Sequence, residues 1–308
     1  MTRPLRRQAN GDAAGVDPAS GGSILQRDSR VPELPTYTAT RYLQPLREGG
    51  SLPAVVDTDG GGLFVVKFRG AGQGAKALIA ELIGGMLARA LALPVPQLAL
   101  IEVPAAFGRS EPDSEIQDVL RASHGTNVGL RYLDGAFNYD NSAAGELVTA
   151  DFATRLVWFD AYVTNPDRTH RNPNVLIWER RPWLIDHGAA LYAHHDWASV
   201  DDARIHTAFT RIREHVLLAR STNVEAIDAE LAATLSDQCI TDVLAKVPDT
   251  LLLDRMRGEE FASGDEARAR YWDYLTRRRD GPRTFVNEAV RARTQLRDMP
   301  LHRLSARR

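Results

Sequence analysis

The chain has 308 residues, enough for one large domain or two closely packed lobes. With 44% hydrophobic and 25% charged residues and a formal net charge of -2, it has an ordinary globular composition. It carries no overall field to gather nucleic acid or an acidic membrane surface. Cys239 is the single cysteine, which excludes an intramolecular disulfide framework and a thiolate metal site; between Gln238 and Ile240 it reads as a buried, inert thiol.

No segment reaches the ~18 apolar residues that span a bilayer. Arg3, Arg6 and Arg7 make a basic start, but Gly, Ala, Asp, Asn and Ser follow where a secretory signal needs an apolar region. The expectation is a cytoplasmic protein without membrane partners. Residues 1–33 are small and polar with no apolar period and are expected to form a disordered tail.

From Thr36 the pattern changes. Thr38 to Leu43 and Leu52 to Asp57 read as strands around the loop Arg47-Glu-Gly-Gly-Ser51, and a glycine-rich turn leads to a third strand, Leu63 to Phe68. After the linker Gly70 to Gly74, helix formers run from Ala75 to Leu91 with apolar residues at Leu78, Leu82, Met86 and Ala90. Pro94 and Pro96 stop this helix before a strand at Leu98 to Val103. Residues 104–126 carry no clear pattern, and Val128 to Leu133 reads as a short strand. The order predicts an antiparallel sheet carrying one helix over residues 34–133.

Ala150 to Thr164 predicts an apolar helix. Asn174 to Trp178 and Pro182 to Ile185 predict a hairpin around Glu179-Arg-Arg181. Residues 200–308 read as helical, with breaks near Ser221, Pro248, Gly264 and Gly281-Pro282. The class is therefore α+β, with residues 134–308 as a mainly helical second lobe.

The chemistry concentrates in two segments. Thr164-Asn-Pro-Asp-Arg-Thr-His-Arg-Asn172 sets Asp167 and Asn172 five residues apart in a loop after a helix, and Leu184-Ile-Asp-His-Gly188 sets Asp186 at the end of the hairpin. Asn-Pro-Asp and Asn-Pro-Asn are strong turn formers, so the loop alone reads equally as a capped turn. Asp186 at the right distance behind a hairpin lifts it above that. Phosphoryl transfer on a kinase scaffold needs this order: a loop Asp for the acceptor hydroxyl, then an Asn and a second Asp holding magnesium against ATP phosphates.

These segments resemble the HipA-like kinases, most closely the short single-chain branch whose loop reads N-x-D-R-x-x-x-N and whose metal motif ends in D-H-G. The loop is also similar to the D-R-x-x-x-N of phosphatidylinositol kinases, which share the fold. The resemblance runs from about Tyr37 to Trp197 and implies a two-lobed, protein-kinase-like architecture. It implies ATP and magnesium as cofactors, Asp167 as catalytic base, and Asn172 and Asp186 as magnesium ligands. It also implies Lys67 as the ligand of the α- and β-phosphates and Glu81 as its ion-pair partner.

The residues agree on that last pair. Of the 38 basic residues only Lys67, Lys76 and Lys246 are lysines, and Lys67 ends an apolar strand where a buried ammonium needs a partner. Glu81 shares the helix face of Leu78. Adenine is expected against the strand near Gly129 to Leu133, beside Leu130 and Tyr132.

The sequence also departs from the pattern. The nearest equivalent of a glycine-rich phosphate loop is Gly49-Gly50-Ser51, and Gly70 to Lys76 fails the P-loop pattern. Pro166 precedes Asp167 where protein kinases have H-R-D, and His187 stands where they have Phe. Asn165 and Arg168 are expected to shape the loop. The reduced glycine loop keeps open a second reading, a catalytically weak nucleotide-binding regulatory module.

A third reading, a His/Asp metal hydrolase, comes from His170, His187, His194 and His195 beside Asp167, Asp186 and Asp196. No helical metal spacing supports it, and adjacent His194 and His195 would point to opposite sides of a strand. Arginines at 268, 270 and 277–279 are interleaved with acids and read as a solvated helix face, which argues against a nucleic-acid partner. The expected partners are ATP and a hydroxyl acceptor that the sequence does not identify.

Overall fold

The computed structural model describes residues 33–46, 52–72, 74–109, 111–254 and 260–298. The expected tail, apart from Glu33, and the Gly49-Gly50-Ser51 loop lie outside the described residues. No helix among the described residues is long and apolar enough to cross a membrane.

Five strands, β1 (Thr36–Pro45), β2 (Ala54–Thr58), β3 (Gly62–Lys67), β4 (Leu98–Val103) and β5 (Gly125–Arg131), close into a barrel in the order β1-β2-β3-β5-β4. This corrects the expected antiparallel sheet. Four of the pairings are antiparallel, but β1 pairs with β4 in parallel, Thr36 opposite Leu100 and Thr38 opposite Glu102. Closure satisfies the edge strands that an open sheet would leave unpaired. Phe64 and Val66 of β3 point into the barrel with Ala54, Val56, Ala99 and Ile101. The strand's alternation therefore turns Lys67 outward.

Two helices accompany the barrel rather than one. α1 (Gly74–Ala90) is buried on nearly every side and packs on β4 and β5 and against the later helical segments Asp237–Ala245 and Asp249–Leu252. A helix apolar all round belongs inside a core. α2 (Ser114–Ala122) falls in the stretch without a clear pattern, and Asp113 caps it by accepting from the Glu115 and Ile116 N–H groups.

A second sheet of three strands, β6 (Phe137–Asn138), β7 (Val175–Trp178) and β8 (Arg181–Leu184), contains the expected hairpin plus one added strand. The short α3 (Asn141–Ala144) precedes α4 (Ala150–Tyr162), which Thr149 caps. After the hairpin come the short α5 (Asp202–Ile205), then α6 (Val224–Thr234), α7 (Asp237–Ala245), α8 (Asp249–Leu252), α9 (Gly264–Asp280) and α10 (Thr284–Arg297). The breaks near 221, 248, 264 and 281 hold, but residues 206–223 form turns and a 3-10 segment rather than the expected helix.

One large core cluster joins α1, α4 and the C-terminal helices. Leu78, Leu82 and Met86 of α1, Leu156 and Phe159 of α4, and Tyr271 and Leu275 of α9 all belong to it. Cys239 is 8% exposed in the same cluster. Burial pushes its thiol up to about 11, as an inert core cysteine requires.

Candidate active site

Lys67 leaves β3 on the barrel's outer face, 7% exposed, and its ammonium meets two carboxylates at once. Glu81 Oε2 on α1 lies 2.5 Å away, and so does Asp186 Oδ1 beyond β8. Burial alone would lower the Lys67 pKa, but the charges of Glu81 and then Asp186 overcome it and hold the ammonium above its ordinary range. Burial likewise opposes the Glu81 charge, and Lys67 together with the His187 donor bond brings that carboxyl down to about 2. Both groups are therefore held charged in a dry setting.

Asp186 sits in the left-handed region with φ 56°, a conformation a short polar side chain tolerates at some cost. Thr164, Asn174 and Leu191, which bracket the two loops, are left-handed as well. Gly188, two residues after Asp186, packs close to the lysine tip: a Cβ there would meet Lys67 Nζ at 3.3 Å. His187 is fully buried, and both its backbone N–H and its ring Nδ1 reach Glu81, at 2.9 and 3.2 Å.

The loop after α4 holds Asp167. Its Oδ2 accepts from Asn172 Nδ2 at 2.7 Å and Asn174 Nδ2 at 3.2 Å, and its N–H donates to Asn165 Oδ1 at 3.2 Å. Burial, and then the neighbouring Asp186 charge, raise its carboxyl above the usual range against the pull of these amides. Asn172 is exposed.

The loop's frame is a buried polar network that the sequence disclosed only in part. Arg168 is 1% exposed and donates from Nε to Asp160 Oδ2 at 2.6 Å. Its Nη1 reaches the carbonyls of Asn174 and Ile185, one at each side of the hairpin's base. Asp160 also accepts from Asn165 Nδ2 at 3.1 Å and from His215 Nε2 at 2.9 Å. His215 Nδ1 accepts from Leu217 N–H, which fixes the proton on Nε2. Arg168 and Asn165 were expected here; Asp160 and His215 were not. An acid inside the apolar run Phe159-Asp160-Ala161 was the available signal.

The remaining candidates separate from this cluster. Leu130 is 4% exposed and packed in the core, while Tyr132 is half-buried and its N–H donates to the Leu63 carbonyl at 3.0 Å. His194 and His195 lie in a 3-10 turn rather than a strand, their rings 4.5 Å apart, so they do not point to opposite sides. His194 is buried against the Tyr271 hydroxyl at 3.0 Å, and His170 is exposed. Among the described residues no three His, Cys, Asp or Glu side chains gather as a metal cluster. A cavity of about 660 Å³ borders Arg69, Lys76, Ile79, His195, Phe261 and Tyr271; Lys67, Glu81, Asp167, Asn172 and Asp186 are not among the residues that line it.

Two oxygens have the hardness magnesium requires. Asp186 Oδ2 and Asn172 Oδ1 accept no hydrogen bond from the described residues, since each side chain is held through its other atom. Two such protein donors suit an ion that completes its shell with phosphate and water.

No curated protein matches this sequence. Among solved structures, the chain is similar to that of a proinflammatory kinase, CtkA, of Helicobacter pylori. The similarity has 12% identity, a TM-score of 0.48, and covers 87% of this chain and 100% of the other. The sequence model of the HipA-like kinases matches residues 40–263, a span that holds β2 to β8, α1, α4 and every candidate residue named above. By that match the chain belongs to the HipA-like kinase family.

Proposed function

We propose that the chain is an ATP- and magnesium-dependent phosphotransferase of protein-kinase-like, two-lobed build, with residues 34–133 as the N-lobe and 134–308 as the C-lobe. The observation that carries this reading is the Lys67 ammonium bonded to both Glu81 and Asp186. It ties a phosphate-binding cation on the barrel to a metal-binding carboxylate on the hairpin. Family membership supports the kinase reaction type.

In this reading Lys67 holds the α- and β-phosphates, and Glu81 keeps the ammonium charged and aimed. Asp186 and Asn172 offer oxygens to magnesium, which when bound neutralises charge on the phosphate oxygens. Asp167 accepts the acceptor hydroxyl's proton, and its raised pKa makes it a better base than an ordinary aspartate. Adenine lies against the end of β5, near Leu130 and Tyr132. Gly49, Gly50 and Ser51 supply the loop over the phosphates. The acceptor is a hydroxyl of a protein Ser or Thr or of a small molecule.

ATP turnover and autophosphorylation with magnesium, compared across wild type, Asp167→Ala and Asp186→Asn, test the reading. Activity in wild type that falls at least ~100-fold in both variants supports it. Nucleotide binding without turnover makes the regulatory module the better account. Absence of both binding and turnover rejects the phosphotransferase and the module together.

A further inference from the structure

Glu81 does more than neutralise Lys67. Its Oε2 accepts from Lys67 Nζ and from the His187 backbone N–H, and its Oε1 faces His187 Nδ1. Glu81 is held ionised, so it only accepts, and Nδ1 must carry the proton. One carboxylate on α1 therefore grips the metal loop at two atoms while holding the lysine at a third.

The surroundings are shaped for this ring. Gly84, one turn along α1 from Glu81, lies against it so closely that a Cβ there would meet His187 Cβ at 2.8 Å. Phe159 of α4 packs edge-on, with ring centroids 6.1 Å apart. His187 Nε2 is buried and has no partner among the described residues. A phenylalanine would fill the same space without burying an unpaired nitrogen. What the imidazole offers that a phenylalanine lacks is its Nδ1–H to Glu81.

We propose that His187 is a positioning residue: its Nδ1–H and backbone N–H clasp Glu81, so that the Lys67–Glu81 pair and Asp186 are set as one unit. The clasp acts on Asp186 and Lys67 through Glu81 and touches no substrate itself. Its kinetic consequence rests on the phosphotransferase reading; its structural consequence does not.

Three substitutions separate a donor at the δ position from mere bulk. His187→Asn presents an amide N–H where Nδ1 stood, His187→Gln presents one nearer the place of Nε2, and His187→Phe keeps the volume with no donor. The measurements are kcat and KM for ATP per folded molecule with magnesium, together with apo thermal melting of each variant alone and combined with Glu81→Gln.

The expected result is that kcat falls ~100-fold in the Phe and Gln variants, as misplaced catalytic groups produce, with a much smaller loss in the Asn variant. Melting losses of His187→Phe and Glu81→Gln should be far from additive, since each breaks the same contact. Full turnover in His187→Phe, or losses that simply track volume, would overturn the proposal. If wild type turns over no ATP, the phosphotransferase reading fails by itself. The clasp then stands on non-additive melting and falls on additive melting.

Discussion

Lys67 and Asp186 are 119 positions apart in the chain, and their charged groups meet at 2.5 Å. This one contact joins the barrel to the three-stranded sheet at the base of its hairpin. It also leaves a specific dependence, because the ammonium is shared with Glu81, a carboxylate with no exposure at all.

Removal of the lysine alone strands that carboxylate. Lys67→Met is expected to cost ~3–5 kcal/mol, the usual penalty for leaving a buried charge unpaired. Adding Glu81→Gln should recover part of this loss, because the stranded charge is gone. Denaturant unfolding of both singles and the double checks it: additive losses would mean that the pair is not the source of the penalty.

The pH dependence of stability has two limbs. Glu81 is depressed to about 2, so its contribution is full above the ordinary ~4.3 of an unfolded glutamate and is lost as pH falls below that. Asp160 is lowered too, by Arg168 and His215 against the opposing effect of burial, and loses stability in the same direction. His194 is held well below 6.5 by burial, with His195 and Lys76 adding to it. The unfolded chain then binds a proton that the folded chain refuses, so stability also declines as pH drops below 6.5. His194→Phe should reduce the slope below 6.5, where His215, also lowered by burial, keeps a share, and Glu81→Gln should reduce the lower one, where Asp160 keeps a share, in thermal melts across pH 2–8.

The Arg168 network predicts a loss that charge alone does not repair. Arg168→Gln removes the guanidinium partner of Asp160, leaving Asn165 and His215, and the donor to two loop carbonyls, and is expected to destabilise by ~3–5 kcal/mol. Arg168→Lys keeps the charge but not the fork that reaches Asp160 and the Asn174 and Ile185 carbonyls together, so it should recover only a minor share. Chemical denaturation of the two variants measures both figures.

The sequence exposed these groups unevenly, and the reasons are physical. Lys67 was legible because a lysine in a chain of arginines ended an apolar strand, and Glu81 because it shared a helix face with Leu78. Asp167, Asn172 and Asp186 were legible through spacing. His215 was not, since its bond to Asp160 spans 55 positions and nothing local marks it. The barrel was missed for a similar reason: alternation reveals strands, but the parallel pairing of β1 with β4 is a property of sheet closure, not of either strand. α2 was missed although Asp113 supplies a proper cap and Ile116, Val119 and Leu120 follow at helical spacing, because the stripe spans barely one turn and eight of its nine residues lie at least partly open to solvent.

Gly84 separates intrinsic helix preference from the geometry of the site. In a helix interior, Gly→Ala normally gains ~1 kcal/mol. At Gly84 the new methyl would meet His187 Cβ at 2.8 Å, an atom fixed to the backbone beside Asp186 that cannot swing aside. The loop carrying Asp186 must move instead, so Gly84→Ala is expected to lower stability and to cut ATP turnover ~100-fold. At the adjacent Gly85 the obstacle is Leu98 Cδ1, also at 2.8 Å but at the end of a side chain that can change rotamer. Gly85→Ala should therefore alter stability without a matching loss of turnover per folded molecule. Equal turnover losses in the two variants would show that α1, rather than its contact with His187, carries the effect.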